Sequence, residues 1–447
     1  MPVGSMAGAG GRWAKAFDRA RLARLADGLA GAVAVSIPWS TSATSLFLGL
    51  WLLALLPTLR PSDVRRVLAE PGGGLPVLLW GLAVVGGLWS AAPFIDQVNA
   101  LRGFHKLLVI PLLLIHFRRS DKGTWVLGGF LVSCTVLLAV SWVLHFAEVY
   151  IGRSGVAGVP VKDYITQSME FLICVFALGH LALDAWHAQR PRLALGLAVL
   201  ALLFFADVAF VAAGRTTMVA FPVLLLLFAL QRFGWKRALG VMLAGAVLAA
   251  LLWVSSSYLR GRALGVAEEV QRYQVSHVGT SAGYRLEFWK KSLGFIAEAP
   301  VLGHGTGSIF SLFRGVASEG SDIGAAVTGN PHNQIIEIGI QFGLLGVAVL
   351  FAMWIAQFAL FTPPTWISWT GQAMVAQTVV GSLFLSYMLD FSTGWIYVFG
   401  IGVLGGTVRP HGIEHHEEPE QQPSAADPVA GMARKPDRAG ALQNCPR

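Results

Sequence analysis

Charge is scarce in this chain. Lys, Arg, Asp and Glu make up 13% of its 447 residues, about half the share of an ordinary soluble domain, and that scarcity excludes a solvated globular fold. Cysteine is scarcer. Of the three, Cys134 and Cys174 fall in apolar stretches and Cys445 in the C-terminal tail, so no pair suggests a disulfide or a thiolate metal site. A nucleotide P-loop is missing too. The glycine-rich VLGHGTGSIF at 301–310 has no Gly-Lys-Ser/Thr after it and no strand pattern before it. The N-terminal segment MPVGSMAGAGGRWAKAFDRARLARLADG lacks a compact apolar core ending at a cleavage site, so it reads as a retained arm and not a signal peptide.

What the chain has instead is hydrophobic length. Apolar residues make up 55% and mean hydropathy is +0.61. Runs such as LPVLLWGLAVVGGLWSAA (75–92) and TTMVAFPVLLLLFAL (216–230) recur along most of the sequence. About 20 such residues cross about 30 Å of hydrocarbon as a helix, because a backbone in lipid must satisfy its own hydrogen bonds. The pattern predicts an all-α, polytopic membrane protein of about twelve spans, at 25–39, 43–59, 75–92, 104–117, 124–146, 164–186, 193–213, 216–230, 238–257, 335–358, 370–389 and 392–408.

Lys and Arg divide unevenly between the connections. Sixteen lie in the N-terminal arm and the alternate connections 60–74, 118–123, 187–192 and 231–237. Five lie in the short intervening ones: Arg102, Lys106, Arg153, Lys162 and Arg215. Positive charge marks the cytoplasmic side, so the net charge of +8 reads as topology, not as nucleic-acid binding, and both termini are expected in the cytoplasm. The expected domains are a basic arm at 1–24, nine spans within 25–257, an outer segment at 258–334, three spans within 335–408 and a tail at 409–447. The tail is rich in Pro, Glu, Gln and Ala and reads as disordered.

That sidedness puts Arg215, the 258–334 segment, Asp390 and the Arg102–Lys106 stretch on the outer face. Arg215 starts an apolar span beside Thr216 and Thr217, and a guanidinium at a helix N-terminus makes an anion receptor; an interfacial arginine reaching lipid phosphates is the plainer alternative. Arg285 and Trp289 lie one turn apart on SAGYRLEFWKKSLGFIAEA (281–299), where Leu286, Trp289, Leu293 and Ile296 form an apolar face at near-helical spacing and Glu287, Lys290 and Lys291 a polar one. Gly303, Gly305 and Gly307 suit either a backbone nest for an anion or a flexible turn, with His304 among them as a further titrating group. His332 precedes the tenth span, where the helix dipole favours a neutral ring, and Asn333 is placed to cap it. Gln334, Glu337 and Gln341 then line one face that must point into the bundle. Arg102, His105 and Lys106 form a basic cluster for lipid diphosphate or membrane phosphates. Asp390 is placed to pair an arginine, and Gln167 and Glu170 to line the same cavity. No HExxH or DxD-like carboxylate pair lies on the outer face, and His411, His415 and His416 fall in the tail, so no metal site is expected.

The ordered set GRTT (214–217), YRLEFWKKSLGFIAEAPVLGHGTGSI (284–309) and NPHNQIIEIGIQFGLLG (330–346) resembles the O-antigen ligase/polymerase superfamily over about 190–350. The resemblance implies a GT-C type glycosyltransferase, independent of metal and cofactor, acting at the periplasmic face of a Gram-negative inner membrane. Its implied donor is a glycan on undecaprenyl diphosphate and its implied acceptor a hydroxyl of lipid A–core. Arg215 and Arg285 would hold the diphosphate and His332 would activate or orient the acceptor. Asn333, Trp289, Arg102, Lys106, Gln167 and Asp390 would line the substrates. The alternatives are an O-antigen polymerase, a protein O-oligosaccharyltransferase and, from another class, a lipid-linked glycan transporter.

Overall fold

The computed structural model describes residues 18–151, 155–276, 279–317 and 323–408. The arm up to residue 17, Arg153 and the tail from residue 409, with Cys445, lie outside the described residues. Helices carry the regular structure of the described chain. They are α1 (Arg19–Ser36), α2 (Thr41–Leu55), α3 (Pro61–Ala69), α4 (Pro71–Val85), α5 (Phe94–Phe104), α6 (Val109–Arg119), α7 (Gly123–Phe146) and α8 (Tyr164–His187). After these come α9 (Pro191–Phe210), α10 (Arg215–Ser255), α11 (Ser257–Ser276), α12 (Ser281–Glu298), α13 (Ser308–Gly315), α14 (Gln334–Ala359), α15 (Trp366–Ser382) and α16 (Phe391–Thr407). Their starts follow local rules. Side chains of Asp18, Ser40, Asp163, Thr280, Asn333, Thr365 and Asp390 accept from orphan amides of the first turn, and Pro61, Pro71 and Pro191 occupy first positions that need no donor.

Among the described residues, eight helical stretches are long and apolar enough to cross a membrane, and α16 is a shorter apolar helix. Leucine and isoleucine side chains such as Leu53, Leu202, Leu251 and Ile355 remain more than half exposed on the outside of the bundle. Water would penalise that surface heavily, whereas lipid chains accept it. The chain is a multi-pass membrane protein. Inside, Trp51, Phe104, Phe117, Phe171, Phe204, Phe342 and Tyr397 are fully buried. The bundle is knit by α8 against α9, α6 against α16, α4 against α14, and α1 against α2 and α7.

Three elements differ from the sequence-based expectation. The fourth apolar stretch does not begin at 104, because α5, a 3-10 turn at His105–Leu108 and α6 run together from Phe94 to Arg119. Arg102 and Lys106 therefore sit within helical structure and not in a connection. The eighth and ninth stretches are two helices as expected, but they follow one another with no loop between them in the 41-residue segment α10, whose full length at 1.5 Å per residue is about twice the hydrocarbon thickness. Gly234 breaks it with φ 72° and ψ 169°. A Cβ on Gly245 would come within 2.6 Å of the Leu225 side chain, so residues on either side of Gly234 lie against one another and the halves turn back.

The third difference is the face of α12. Leu293 is 61% exposed, while Phe288 and Phe295 are 7% and 3% exposed and pack with Ile309, Phe313 and Ile340. Two apolar series at helical spacing overlap in this segment, and the phenylalanine series is selected because Phe313 of α13 offers it edge-on aromatic contacts and Ile340 of α14 an apolar one. The helix thus caps the bundle on its 288/295 face. Glu287 and Lys291 are not simply a solvated face either: Tyr273 donates to Glu287 at 2.8 Å and Lys291 donates to the Gly324 carbonyl at 2.8 Å.

The glycine-rich loop is neither a nest nor a flexible turn. α14 breaks at Gly343 (φ 60°, ψ −157°), which frees amides and carbonyls inside an apolar helix. The loop takes up four of them. Leu344 and Leu345 donate to the carbonyls of Pro300 and Val301 at 2.8 and 3.3 Å, and His304 and Gly305 donate to those of Ile340 and Gln341 at 2.9 Å each. Thr306 N–H goes to Gly86 O and Gly307 N–H to Gln341 Oε1, so the loop amides are engaged before any anion arrives. Gly303, at φ 66°, has no room for a side chain: a Cβ would lie 2.5 Å from the Gln341 and Phe342 backbone. His304 closes the loop through its ring to the Phe295 carbonyl at 2.8 Å.

Candidate active site

One end of the bundle collects the starts of α8, α10 and α14 with α11 and α12. Ser168 of α8 and Thr217 of α10 share a 2.7 Å hydrogen bond, which fixes Arg215 at the mouth. The Arg215 Nη atoms meet Glu269 of α11 at 3.2 and 2.5 Å, and its Nε is buried without a partner. Glu269 Oε2 also accepts the Ala282 amide at 2.8 Å, in the first turn of α12 behind the Thr280 cap. The hydrogen bonds from Arg215 hold the Glu269 carboxyl below its ordinary range. A carboxylate thus occupies an anion site made of a guanidinium and a helix N-terminal amide.

Arg285 follows one turn along α12. It is half-buried, and its guanidinium has no hydrogen-bond partner among the described residues. Burial lowers its pKa; Tyr164 and Glu269 oppose that effect and Arg215 adds to it. An arginine held in this way is ready for an incoming anion.

His332 lies opposite. Its backbone is left-handed, at φ 55°, an uncommon state for a residue with a side chain and one that tends to collect at functional sites. The strain is held from three sides. Its amide donates to Asn330 Oδ1 at 2.7 Å, Trp289 Nε1 donates to the preceding Pro331 carbonyl at 3.0 Å, and Asn333 caps α14 through Ile335 and Ile336 amides at 3.0 and 3.1 Å. Asn333 Nδ2 reaches the Leu383 carbonyl at 3.0 Å, fixing the cap to the end of α15. The ring is half-buried, and burial first, then the Arg285 charge, lowers its pKa. The ring is therefore kept neutral by burial and a neighbouring cation.

Beneath it the polar stripe points inward. Gln334, Glu337 and Gln341 are 0%, 8% and 1% exposed. Gln334 accepts the amides of Met388 and Leu389, and Gln341 accepts that of Gly307. Arg215, Arg285, Trp289, His332 and Asn333 thus form one connected region.

Other sequence candidates lie apart from it. Lys106 is buried, and its Nζ is taken by the carbonyls of Leu389 and Asp390. Asp390 caps α16 through the Ser392 amide at 3.0 Å and meets a lysine through its carbonyl, in place of the expected arginine. Arg102 and His105 are exposed. Gln167 is 2% exposed and donates to Ser141, the Gly158 carbonyl and Asp207, and Glu170 pairs with Lys162 at 3.1 Å, so both are enclosed in the bundle. Sequence reasoning missed Glu269, Tyr164 and Asp207. The need of a membrane-edge arginine for a counter-ion pointed toward the carboxylates of the outer segment, and Asp207 stands alone in the apolar run LLFFADVAF.

A search among curated proteins returned no match. Residues 200–351 match the family model described as O-Antigen ligase. The matched segment, about a third of the chain, holds Arg215, Glu269, Arg285, Trp289, His332 and Asn333, so the candidate site lies in the part that is similar to O-antigen ligases.

Proposed function

We propose that the protein is an O-antigen ligase: a twelve-span, GT-C type glycosyltransferase that moves a glycan from undecaprenyl diphosphate to a hydroxyl of lipid A–core. The reaction takes place at the periplasmic face of the inner membrane, with both termini cytoplasmic. The observation that carries this reading is the meeting of two prepared groups, the uncommitted guanidinium of Arg285 and the neutral, strained His332, beside an anion site at Arg215.

The acceptor oxygen attacks the anomeric carbon of the donor sugar from the side opposite the diphosphate, inverting its configuration. The bond from that carbon to the diphosphate oxygen breaks, and the hydroxyl proton passes to the His332 ring. A positioned base of this kind contributes typically 10²–10⁴-fold. Negative charge grows on the departing diphosphate, where Arg285 meets it directly. Arg215 meets it once the diphosphate has displaced the Glu269 carboxylate from the same donors. Fixed guanidinium groups neutralise that charge without a metal.

The test is transfer in vitro by purified full-length protein, with lipid A–core and a polyprenyl-linked repeat unit offered as separate acceptors. Expected are transfer to lipid A–core, inversion at the anomeric carbon, indifference to a chelator, and loss of transfer in His332→Ala. Preference for the polyprenyl-linked acceptor would make the protein a polymerase. Retained configuration, full activity of His332→Ala, or a requirement for added divalent metal would overturn the mechanism.

A further inference from the structure

Next to the clamped His332 loop lies a cavity of about 510 Å³, bounded by α5, α13, α14 and the segment before α16. The reactive groups Arg215, Arg285 and His332 do not line it. Its polar lining is acidic and amide-rich, with carboxylates of Asp96, Glu337 and Asp390 and amides of Asn99 and Asn330. Phe310 and Phe391 add aromatic surface. Glu337 is 8% exposed, and its Oε2 is buried with no hydrogen-bond partner among the described residues. The neighbouring Ser386 hydroxyl gives its proton to Asn330 Oδ1 at 2.7 Å, so the buried Glu337 oxygen is left open to a ligand that brings a donor.

We infer that this cavity is a subsite for uncharged sugar rings of the acceptor, with Glu337 as the receptor for a sugar hydroxyl. The size falls in the usual range for small-molecule sites, too large for a single ion. Sugar rings offer hydroxyl donors for the carboxylates and amides, and apolar C–H faces for Phe310 and Phe391. Phosphorylated sugars are disfavoured by a lining whose ionisable groups, Asp96, Glu337 and Asp390, are all acidic. Of the nearby cations, Lys106 is held by two carbonyls and Arg314 lies 4.6 Å over the Phe310 ring. The link to chemistry is Asn330. It lines the cavity, and its Oδ1 accepts both the His332 amide and the Ser386 hydroxyl at 2.7 Å, so a saccharide held here extends toward the His332 ring. The identity of the sugar as acceptor rests on the proposed transfer reaction; the cavity's preference for neutral sugar does not.

The test is donor-free binding to the full-length protein in lipid nanodiscs, read by saturation-transfer NMR. The probe is delipidated core oligosaccharide, either phosphorylated or chemically dephosphorylated. The dephosphorylated probe is expected to bind about tenfold more tightly than the phosphorylated one. Glu337→Gln is expected to weaken it by about tenfold or more, the effect of losing a charge-assisted hydrogen bond, and to narrow the discrimination. Phe310→Ala, at the partly exposed rim, weakens it without touching the buried carboxylate. Tighter binding of the phosphorylated probe, wild-type binding by both Glu337→Gln and Phe310→Ala, or binding that appears only with calcium would overturn the subsite. Binding as expected by a protein that transfers no glycan supports the subsite and removes only the transfer reaction.

Discussion

Replacing Arg285 with glutamine separates function from stability more sharply than any other change at this site. The guanidinium is half-buried, lacks an internal hydrogen-bond partner among the described residues, and feels attraction from Tyr164 and Glu269 that is opposed by repulsion from Arg215. Removing it breaks no native contact of the kind that normally makes a substitution costly, so stability should stay within about 0.5 kcal/mol of wild type. That corresponds to a shift of about 2 °C or less in the unfolding midpoint. Catalysis responds in the opposite way. A preorganised donor aimed at developing negative charge is worth about 3–4 kcal/mol, or 10²–10³ in rate. Arg285→Gln should therefore lose about 100- to 1000-fold in transfer while unfolding at the same temperature. The assay pairs initial rates on purified enzyme with thermal unfolding of the same sample. Activity within fivefold of wild type would refute the reasoning, as would an equal loss caused by unfolding.

Glu269→Gln removes the carboxylate that competes with the donor for Arg215. Partly exposed, hydrogen-bonded ion pairs are worth about 1–2 kcal/mol, so donor KM should fall about 5- to 30-fold, and a rise in KM would contradict displacement. If His332 is the base, as proposed, the pH–rate profile reports on its neutral form. Burial and Arg285 lower its pKa from the ordinary 6.5, so the ring stays unprotonated as pH falls through 6.5 and the acid limb lies lower; a limb at or above 6.5 would count against it. Gly303→Ala forces a side chain into a left-handed residue that abuts the Gln341–Phe342 backbone. It should destabilise the protein by at least about 2 kcal/mol, and a wild-type unfolding midpoint would show that the loop can yield.

Much of the fold was legible because lipid imposes one rule on every span: long apolar runs must be helices. The mouth of the site was legible for a related reason, since Arg215, Arg285 and His332 are polar groups where polarity is expensive and each needs a purpose. Pairings across long sequence distances were hidden. Nothing local in ALGVAEEVQ identifies Glu269 as the partner of Arg215, 54 residues earlier. Lys106 looked available because its neighbours in sequence are basic, yet its partners are carbonyls 283 and 284 residues away. The 303–307 glycines were ambiguous for a subtler reason. Glycine spacing records that a backbone comes close to something, and only the break at Gly343 reveals that the something is another stretch of the same chain.

That break has a mechanical consequence. Four backbone hydrogen bonds tie α14 on both sides of Gly343 to the 300–305 strap, so the N-terminal half of α14 is sewn to the chain that leaves α12. A joint braced in this way makes a poor hinge. The histidine therefore stands on a fixed post, its loop clamped by Asn330, Asn333 and Trp289. Under the proposed reaction, movement during turnover would fall instead to the side chains across the mouth: Glu269 would swing off, Arg215 would be released, and the donor would be drawn toward a histidine that stays where it is.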